Sequence, residues 1–178
     1  MKRQAEPDQP AIRHCQLADG MQVTIRTILP QDVELVKSFV QELSEKSKYF
    51  RFMNSVHALT EAMLARFTQI DHSKEMALIA LTLLEGVEVM LGVARFSINQ
   101  DSSSCEFALV VADRFTGEGL GHKLMLSLMD AARRKGLKTI EGEVLSDNHD
   151  MLSLMQHLGF GSKIFAGDRH SVKVSKSL

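Results

Sequence analysis

The sequence contains no tryptophan, one tyrosine and only two cysteines in 178 residues. With so few flat aromatic side chains, a platform for stacking nucleic-acid bases is poorly supported. The cysteines, Cys15 and Cys105, have no paired spacing and no histidine placed as a partner ligand, so the sequence predicts neither a disulfide framework nor a metal site. This cysteine usage is typical of the reducing cytoplasm, where we expect the protein to reside.

An excess of charge of one sign is also missing. The chain has 21 Lys and Arg against 22 Asp and Glu, which gives a formal net charge of −1. No bulk electrostatic field would therefore draw it to nucleic acid or to anionic lipid. The sequence also lacks a run of eighteen apolar residues, and Met1-Lys2-Arg3 begins a polar segment rather than an export signal. We expect a protein that is neither exported nor membrane-bound and that does not bind nucleic acid.

The length favours one domain, because a chain of this size can bury roughly 70% of its unfolded surface. Residues 1–20 carry Pro7, Pro10 and Gly20 without periodicity, which predicts a flexible N-terminal tail. Residues 21–178 are predicted to form the single domain. The sequence leaves the oligomeric state open, with a homodimer as one candidate assembly.

Hydrophobic periodicity predicts an α/β (α+β) fold with a mixed central β-sheet flanked by helices. The predicted elements are strands at 21–26, 76–81, 87–97, 104–111 and 139–145, helices at 30–43, from 44, from 60, at 119–135 and at 148–158, and two short strands after residue 160. Antiparallel hairpins come first, and a parallel strand follows the helix at 119–135.

The most informative stretch is a glycine-rich turn within residues 110–121, where an apolar strand leads directly into a helix. Gly117, Gly119 and Gly121 let the backbone approach a ligand closely. The free N–H groups of the turn and of the first helical residues, together with the helix dipole, suit a pyrophosphate. The pattern therefore predicts a site for a nucleotide-like anion.

Two common phosphate motifs do not fit this turn. The dinucleotide fingerprint G-x-G-x-x-G fails because Leu124 stands where the third glycine is required. A Walker loop fails because Gly121 is followed by His122 and Lys123 rather than by Lys-Ser or Lys-Thr. An ordinary strand-to-helix connection that happens to be rich in glycine remains the alternative.

Two motifs in this order resemble those of the GNAT superfamily of acetyl-CoA-dependent N-acetyltransferases. The segment 116–121, Thr-Gly-Glu-Gly-Leu-Gly, is similar to its pyrophosphate motif Gln/Arg-x-x-Gly-x-Gly/Ala, with Thr116 in place of the leading residue. The segment 148–160, an asparagine, an aliphatic helix and Leu-Gly-Phe, resembles its second signature. The resemblance implies the GNAT fold, acetyl-CoA as the acetyl-donor substrate, and no metal.

A narrower resemblance covers about residues 22–160. Residues 24–26, 30–32, 43–52 and 68–77 are similar to the acetyltransferase domain of bacterial Pat-type protein lysine acetyltransferases. This resemblance implies an acyltransferase that moves an acetyl group to a protein lysine, by direct attack of the amine in a ternary complex.

Glu106 is the candidate general base, acting directly or through a water, because the Pat-type family places its catalytic glutamate on this strand. A lysine ammonium with a pKa near ~10.4 needs a proton acceptor at neutral pH. Glu75, in a Glu-Met-Ala segment that matches the narrower family, is a second candidate for catalysis or substrate binding. A solvated or strand-end carboxylate remains the alternative for both. Strand alternation turns Cys105 away from Glu106, which disfavours an acetyl-cysteine route.

The resemblance also implies a set of donor-binding residues. The strand backbone would line the pantetheine arm, and the N–H of Val111 or of a neighbour could polarise the thioester carbonyl. Asn148 either contacts the donor or caps a helix. We expect Glu118 to weaken donor affinity by its charge, and Met155, where many members have a proton-donating tyrosine, cannot protonate the leaving thiolate. The predicted donor-binding residues are Leu109, Val110, Val111, Thr116, Gly117, Glu118, Gly119, Leu120, Gly121, His122, Lys123 and Asn148.

Two other functions remain open at this point. The acceptor could be a small amine, since the sequence does not distinguish a deep pocket from an open groove, and the shape of residues 44–71 would discriminate the two. The chain could also be a non-catalytic module that senses acetyl-CoA, although the carboxylate at Glu106 argues against this reading.

Overall fold

The computed structural model describes residues 12–53, 58–164 and 170–178, and it confirms the predicted α/β fold. Most of the predicted tail, residues 1–11, lies outside these ranges. Within them the strands are β1 (Arg13–Gln16), β2 (Gln22–Thr27), β3 (Glu75–Leu84), β4 (Val87–Ile98), β5 (Ser104–Val111), β6 (Thr139–Leu145), β7 (Gly161–Lys163) and β8 (Ser171–Ser177). The helices are α1 (Val33–Glu42), α2 (Glu45–Phe52), α3 (Glu61–Thr68), α4 (Leu120–Arg134) and α5 (His149–His157).

Strand β1 lies within residues 1–20, the segment that the sequence predicts as an N-terminal tail. It pairs antiparallel with β2, with Arg13 opposite Ile25 and Gln16 opposite Gln22. The strand is short and polar and lies at the edge of the sheet, so it lacks the alternation of apolar residues that marks a half-buried strand. Backbone pairing and the packing of Cys15 against the apolar core hold it in the sheet.

The strands that the structure describes form one sheet in the order β1-β2-β3-β4-β5-β6-β8-β7. Every neighbouring pair is antiparallel except β5 and β6, which are parallel. This parallel seam runs only from Ser104 opposite Thr139 to Glu106 opposite Glu141. Beyond Glu106 the two strands no longer pair, while β6 continues its ladder with β8. The last residues of β5 therefore present an open backbone edge.

Each face of the sheet carries its own apolar core. The inward residues of α4, such as Leu124 and Leu128, pack on one face, and α1 packs on the other through Phe39 and Val40. Alternation along β5 sends Cys105, Phe107 and Leu109 to the α4 face and Val110 to the α1 face. Glu106, two and four residues from Ala108 and Val110, therefore lies on the α1 face.

No helix in the described part of the chain is long and apolar enough to cross a bilayer.

Candidate active site

A cavity of about 720 Å³ runs along the open edge of β5, between α2, the loop after β5, and α5. Its volume is in the range of small-molecule and cofactor pockets. We call it the larger cavity. The predicted donor-binding residues that line it are Leu109, Val110, Val111, Thr116, Gly117, Gly119, Gly121, His122 and Asn148.

Hydrogen-bond donors of the β5 backbone point into the gap between β5 and β6. The N–H of Ala112 donates a hydrogen bond of 2.8 Å to the carbonyl of Leu91 on β4. Because successive N–H groups of a strand point to opposite edges, those of Val111 and Leu109 point away from β4. These two N–H groups therefore face the open edge, where no described strand pairs with them.

The glycine turn, residues 116–121, closes one end of the larger cavity. Gly117 and Gly119 have φ angles of +82° and +83°, which side-chain-bearing residues rarely adopt. Gly119 is the N-cap of α4 and contributes no side-chain cap, and the first turn of the helix has no acidic residue. The first N–H groups of α4 have no partner within the helix, so the turn presents donors and a positive dipole end to an anion.

Close packing accounts for a third glycine of the turn. A Cβ on Gly121 would lie 3.2 Å from Cδ2 of Leu154 on α5, closer than most real contacts. The small residue lets the beginning of α4 approach α5, and both helices line the larger cavity.

Three predicted donor-binding residues do not line the larger cavity. Leu120 is only 1% exposed and packs in the α4-face core, so its backbone alone can serve a ligand. Lys123 lies beside Cys15 on β1, where its charge acts against the burial that raises the pKa of that thiol. Glu118 is half-buried between the lining glycines.

Asn148 both caps a helix and lines the larger cavity. Its Oδ1 accepts a hydrogen bond from the N–H of Met151 at 3.3 Å, which makes it the N-cap of α5. The two sequence interpretations are therefore compatible, since the carboxamide nitrogen is not used by the cap.

Helix α2 forms a wall of the larger cavity that sequence reasoning missed. Asp113 accepts hydrogen bonds from the N–H and Oγ of Ser44 at 2.9 and 2.8 Å, and from Oγ of Ser47 at 2.6 Å. Burial alone would raise the pKa of Asp113, but these hydrogen bonds lower it below its usual value. The ionised carboxylate braces the beginning of α2 against the loop that follows β5.

A smaller cavity of about 270 Å³ lies on the α1 face of the sheet. It is lined by Arg51, Arg66, Phe67, Glu75, Arg95, Ser97, Glu106, Phe107 and Ala108. The two cavities meet at β5, because Ala108 lines one and Leu109 the other, and Arg51 lines both. A molecule in each cavity would therefore approach the same strand.

Both predicted catalytic carboxylates line the smaller cavity, in one row across the sheet. Ser97 on β4 lies opposite Glu75 on one side and opposite Glu106 on the other, and Glu106 lies opposite Glu141 across the seam. Directly paired residues point to the same face of a sheet. The row therefore places three carboxylates on the α1 face.

The outer two carboxylates of this row are ion-paired. Arg66 donates two hydrogen bonds to Glu75, one of them 3.0 Å long, and this pairing lowers the pKa of Glu75. Glu141 lies 2.9 Å from the Lys173 ammonium. The side chain of Glu106, between them, has no hydrogen bond or ion pair with any residue in the described ranges. It is the carboxylate of the row that is free to accept a proton.

The remaining candidates for chemistry are buried. Cys105 is inaccessible in the α4-face core, where burial raises the pKa of its thiol to about 12, with the Glu141 charge as a further cause. It is therefore protonated at neutral pH and unsuited to a covalent route. Met155 is only 1% exposed in the same core. Within the described residues, no group of three or more His, Cys, Asp or Glu could hold a metal ion.

The sequence matches a known family over most of this fold. Residues 39–160 match the Acetyltransferase (GNAT) family. An acetyltransferase of Pseudomonas aeruginosa is 33% identical over 144 residues, which are 81% of this chain and 77% of that protein. The acetyltransferase Pat of Mycolicibacterium smegmatis is 30% identical over 146 residues, 81% of this chain but 43% of its longer chain.

Solved structures agree with these relatives. The crystal structure of the GNAT domain of S. lividans PAT superposes with a TM-score of 0.86 at 25% sequence identity, covering 96% of this chain and 100% of that one. The chain therefore belongs to the GNAT family of acetyltransferases, enzymes whose acetyl donor is acetyl-CoA.

Proposed function

We propose that this acetyltransferase acetylates lysine side chains of proteins, with Glu106 as the general base. The observation that carries the proposal is the meeting of two cavities at β5, with an unpaired carboxylate in the smaller one. The larger cavity would hold the donor, and the smaller cavity would receive the amine. Glu106 stands beside the point where they meet.

The chain's own groups fit acetyl-CoA in the larger cavity. The N–H groups of the glycine turn would bind its pyrophosphate, and the open edge of β5 would bind the pantetheine arm by backbone hydrogen bonds. Acetyl-CoA supplies an activated acyl group as a thioester. Helix α2, held by Asp113, would cover the donor from the other side.

Removal of a proton from the amine is the first requirement of the transfer. At neutral pH nearly all lysine side chains are ammonium ions, and only the neutral amine attacks a carbonyl. Glu106 would accept that proton, directly or through one water molecule. The ion pair of Glu75 with Arg66 leaves Glu75 less able to do so, and we propose that it positions Arg66 at the cavity rim.

Backbone donors would stabilise the charge that develops during attack. The N–H groups of Leu109 and Val111 point to the open edge, where the thioester oxygen would lie as it gains negative charge. A thiol with a pKa near ~8.5 is a fair leaving group without full protonation. The CoA thiolate can therefore leave although Met155 has no proton to donate to it.

Likeness to Pat-type enzymes supports protein lysine as the acceptor. The resemblance in residues 24–26, 30–32, 43–52 and 68–77 includes α2 and the segment from the end of α3 into β3. These segments contribute Arg51 and Glu75 to the lining of the smaller cavity. Two alternative functions, a small-amine acetyltransferase and an acetyl-CoA sensor, are distinguished from this one by the test described next.

The test measures release of CoA and acetylated mass with a panel of lysine-bearing proteins and small amines. The variants are Glu106→Gln and, as a matched control, Glu143→Gln, an exposed strand glutamate on β6. Acetylation of protein lysines that requires Glu106 but not Glu143 would support the proposal. Transfer to small amines alone, or tight donor binding with no transfer, would overturn it.

A further inference from the structure

The smaller cavity has an unexpected charge for a site that receives an ammonium ion. It is lined by three arginines, Arg51, Arg66 and Arg95, and two glutamates, Glu75 and Glu106. Arg66 and Glu75 neutralise each other. Two guanidinium groups and one carboxylate then remain, so the space beside Glu106 carries an excess of positive charge.

The two remaining arginines are stacked on a pair of phenylalanine rings. Cζ of Arg51 lies 5.1 Å from the ring centroid of Phe52, and Cζ of Arg95 lies 5.2 Å from that of Phe67. The two rings are themselves 6.1 Å apart. A stacked guanidinium uses its flat face for the ring and keeps the N–H groups of its edge for a planar anion.

Neither guanidinium has an anionic hydrogen-bond partner within the described residues. Burial, together with the nearby charge of Arg95, lowers the pKa of Arg51 to about 10. Burial is also the largest cause of the lowered pKa of Arg95, and the charge of Glu75, which Arg66 already pairs, offsets it only in part. Both groups stay cationic at neutral pH, and partly buried cations are stabilised by an anion that supplies the missing hydrogen bonds.

We propose that Arg51 and Arg95 form a subsite for a carboxylate carried by the acceptor, beside the amine that Glu106 deprotonates. The inference rests on the proposed acceptor role of the smaller cavity. In a protein acceptor the carboxylate belongs to an Asp or Glu next to the target lysine, and in a small acceptor it belongs to the molecule itself. The ammonium of the acceptor then lies beside Glu106, and its carboxylate lies beside Arg51 and Arg95.

The phosphates of the donor are poor occupants of this subsite. The glycine turn that suits a pyrophosphate lies at the end of the larger cavity, and Arg95 does not line that cavity. A substitution of Arg95 should therefore affect only the binding of the acceptor, whereas Arg51 lines both cavities. Substitutions of Arg95 give the cleaner test.

The test uses blocked peptides with one lysine and a glutamate or a glutamine at each neighbouring position in turn. Free lysine and lysinamide form the small-molecule arm. Calorimetry measures binding of the Nε-acetylated forms to the protein with CoA present, and steady-state kinetics measures transfer to the free amines. The proteins are the unmodified chain, Arg95→Gln, Arg95→Lys and the control Arg134→Gln, an exposed arginine on α4.

We expect the best glutamate peptide to bind about tenfold tighter than its glutamine counterpart, as a charge-assisted hydrogen bond supplies. Arg95→Gln should abolish this preference while leaving acetyl-CoA affinity unchanged, Arg95→Lys should restore part of it, and Arg134→Gln should keep all of it. A preference for lysine over lysinamide instead would identify a small amino acid as the source of the carboxylate.

The inference is overturned if no acid-bearing ligand is preferred, or if the preference persists in Arg95→Gln. Equal weakening of acidic and neutral ligands by Arg95→Gln would also overturn it, because that result indicates a structural role or an effect on the amine. Preferential binding of acidic ligands without any transfer would leave the subsite standing and remove the proposed function, so the two failures are distinguishable.

Discussion

Glu75 and Glu106 flank the same residue of β4 and line the same cavity, but only Glu75 is held by an ion pair. A carboxylate that is paired with a guanidinium is stabilised in its charged form and is a weaker base. The neighbouring carboxylate keeps its oxygens free. Two glutamates in equivalent positions of adjacent ladders thus have different chemistry because of one arginine, Arg66.

This difference predicts unequal effects of removing each carboxylate. Glu106→Gln should lower kcat/KM by about 10²- to 10⁴-fold at neutral pH, the usual contribution of a general base. Glu75→Gln should lower it by less than about tenfold, through the position of Arg66. Transfer to a lysine peptide at saturating acetyl-CoA, followed over pH, measures both.

The pH profile separates loss of a base from general damage. The deficit of Glu106→Gln should narrow as the pH rises towards ~10.4, because the lysine then loses its proton without help. A deficit that is constant over pH, or a larger one in Glu75→Gln, would contradict the assignment of Glu106.

Gly117→Ala should impair both folding stability and donor binding. At φ +82° an alanine is strained, and nothing lies within 4 Å of the added Cβ, so backbone strain of about 1–2 kcal/mol is the whole expected effect on stability. A shift of the turn should also weaken acetyl-CoA binding severalfold, as calorimetry can measure.

Gly136→Ala is the matched control for this substitution. Gly136 follows α4 with φ +78° and equally open surroundings, but it does not line the larger cavity. It should lose similar stability in urea denaturation and keep its donor affinity. Equal donor affinity in both variants would exclude the glycine turn from donor binding.

Asp113→Ala should loosen α2 where it covers the larger cavity. The change removes the acceptor for three hydrogen bonds from Ser44 and Ser47, each contributing about 1 kcal/mol or less at a solvent-exposed site. We expect a severalfold weaker affinity for acetyl-CoA and faster amide exchange in α2. Unchanged exchange in α2 would show that apolar packing alone holds the helix.

The ion pair of Asp32 with Arg26 should make the free energy of unfolding depend on pH. Arg26 donates hydrogen bonds of 2.7 and 2.8 Å to Asp32, whose side chain is 5% exposed. Burial alone would raise the pKa of Asp32, but the bonds from Arg26 and from the Leu29 N–H lower it. Asp32→Asn should lower the free energy of unfolding by about 2 kcal/mol at pH 7, because Arg26 loses its main partner.

The sign of the pH effect follows from the lowered pKa. The stabilisation is complete above the unfolded-state pKa near ~3.9 and is lost as the pH falls through the lower folded-state value. Urea denaturation should therefore show the difference between Asp32→Asn and the unmodified protein shrinking below about pH 4. Asp130→Asn, in exposed ion pairs with Arg13 and Arg133, should change stability by less than about 1 kcal/mol. A constant difference for Asp32 would contradict the ion-pair explanation.

Elements with a strong apolar pattern could be predicted closely from the sequence. The bounds of β5 and β6 were predicted at 104–111 and 139–145, as the structure has them, because each is a buried strand between polar or glycine-containing connections. The position of strand β1 could not be predicted, since three of its four residues are polar and the strand is held mainly by pairing with β2.

Some residues of the candidate site could likewise be predicted from local patterns, and others could not. The glycine turn and Glu106 are local features, so short motifs suffice to find them. Arg51 and Arg95 are 44 positions apart, and each alone reads as a surface charge. Only the pairing of β4 with β5 and the packing of α2 over the sheet bring them into one cavity. Tertiary register, which no local pattern encodes, decides that part of the site.

The short seam between β5 and β6 should affect how readily the protein unfolds and is degraded in the cell. In the described ranges, its three residue pairs and the adjoining hydrogen bond from the Lys138 N–H to the Ser103 carbonyl link the five-strand and three-strand parts of the sheet. The larger cavity is lined by β5 and by α5, the helix that follows β6, so a ligand bound there adds a second link between the two parts. Resistance to unfolding and to proteolysis should then rise with acetyl-CoA concentration, as RT ln(1 + [L]/Kd), so the abundance of the enzyme would follow the supply of its own donor.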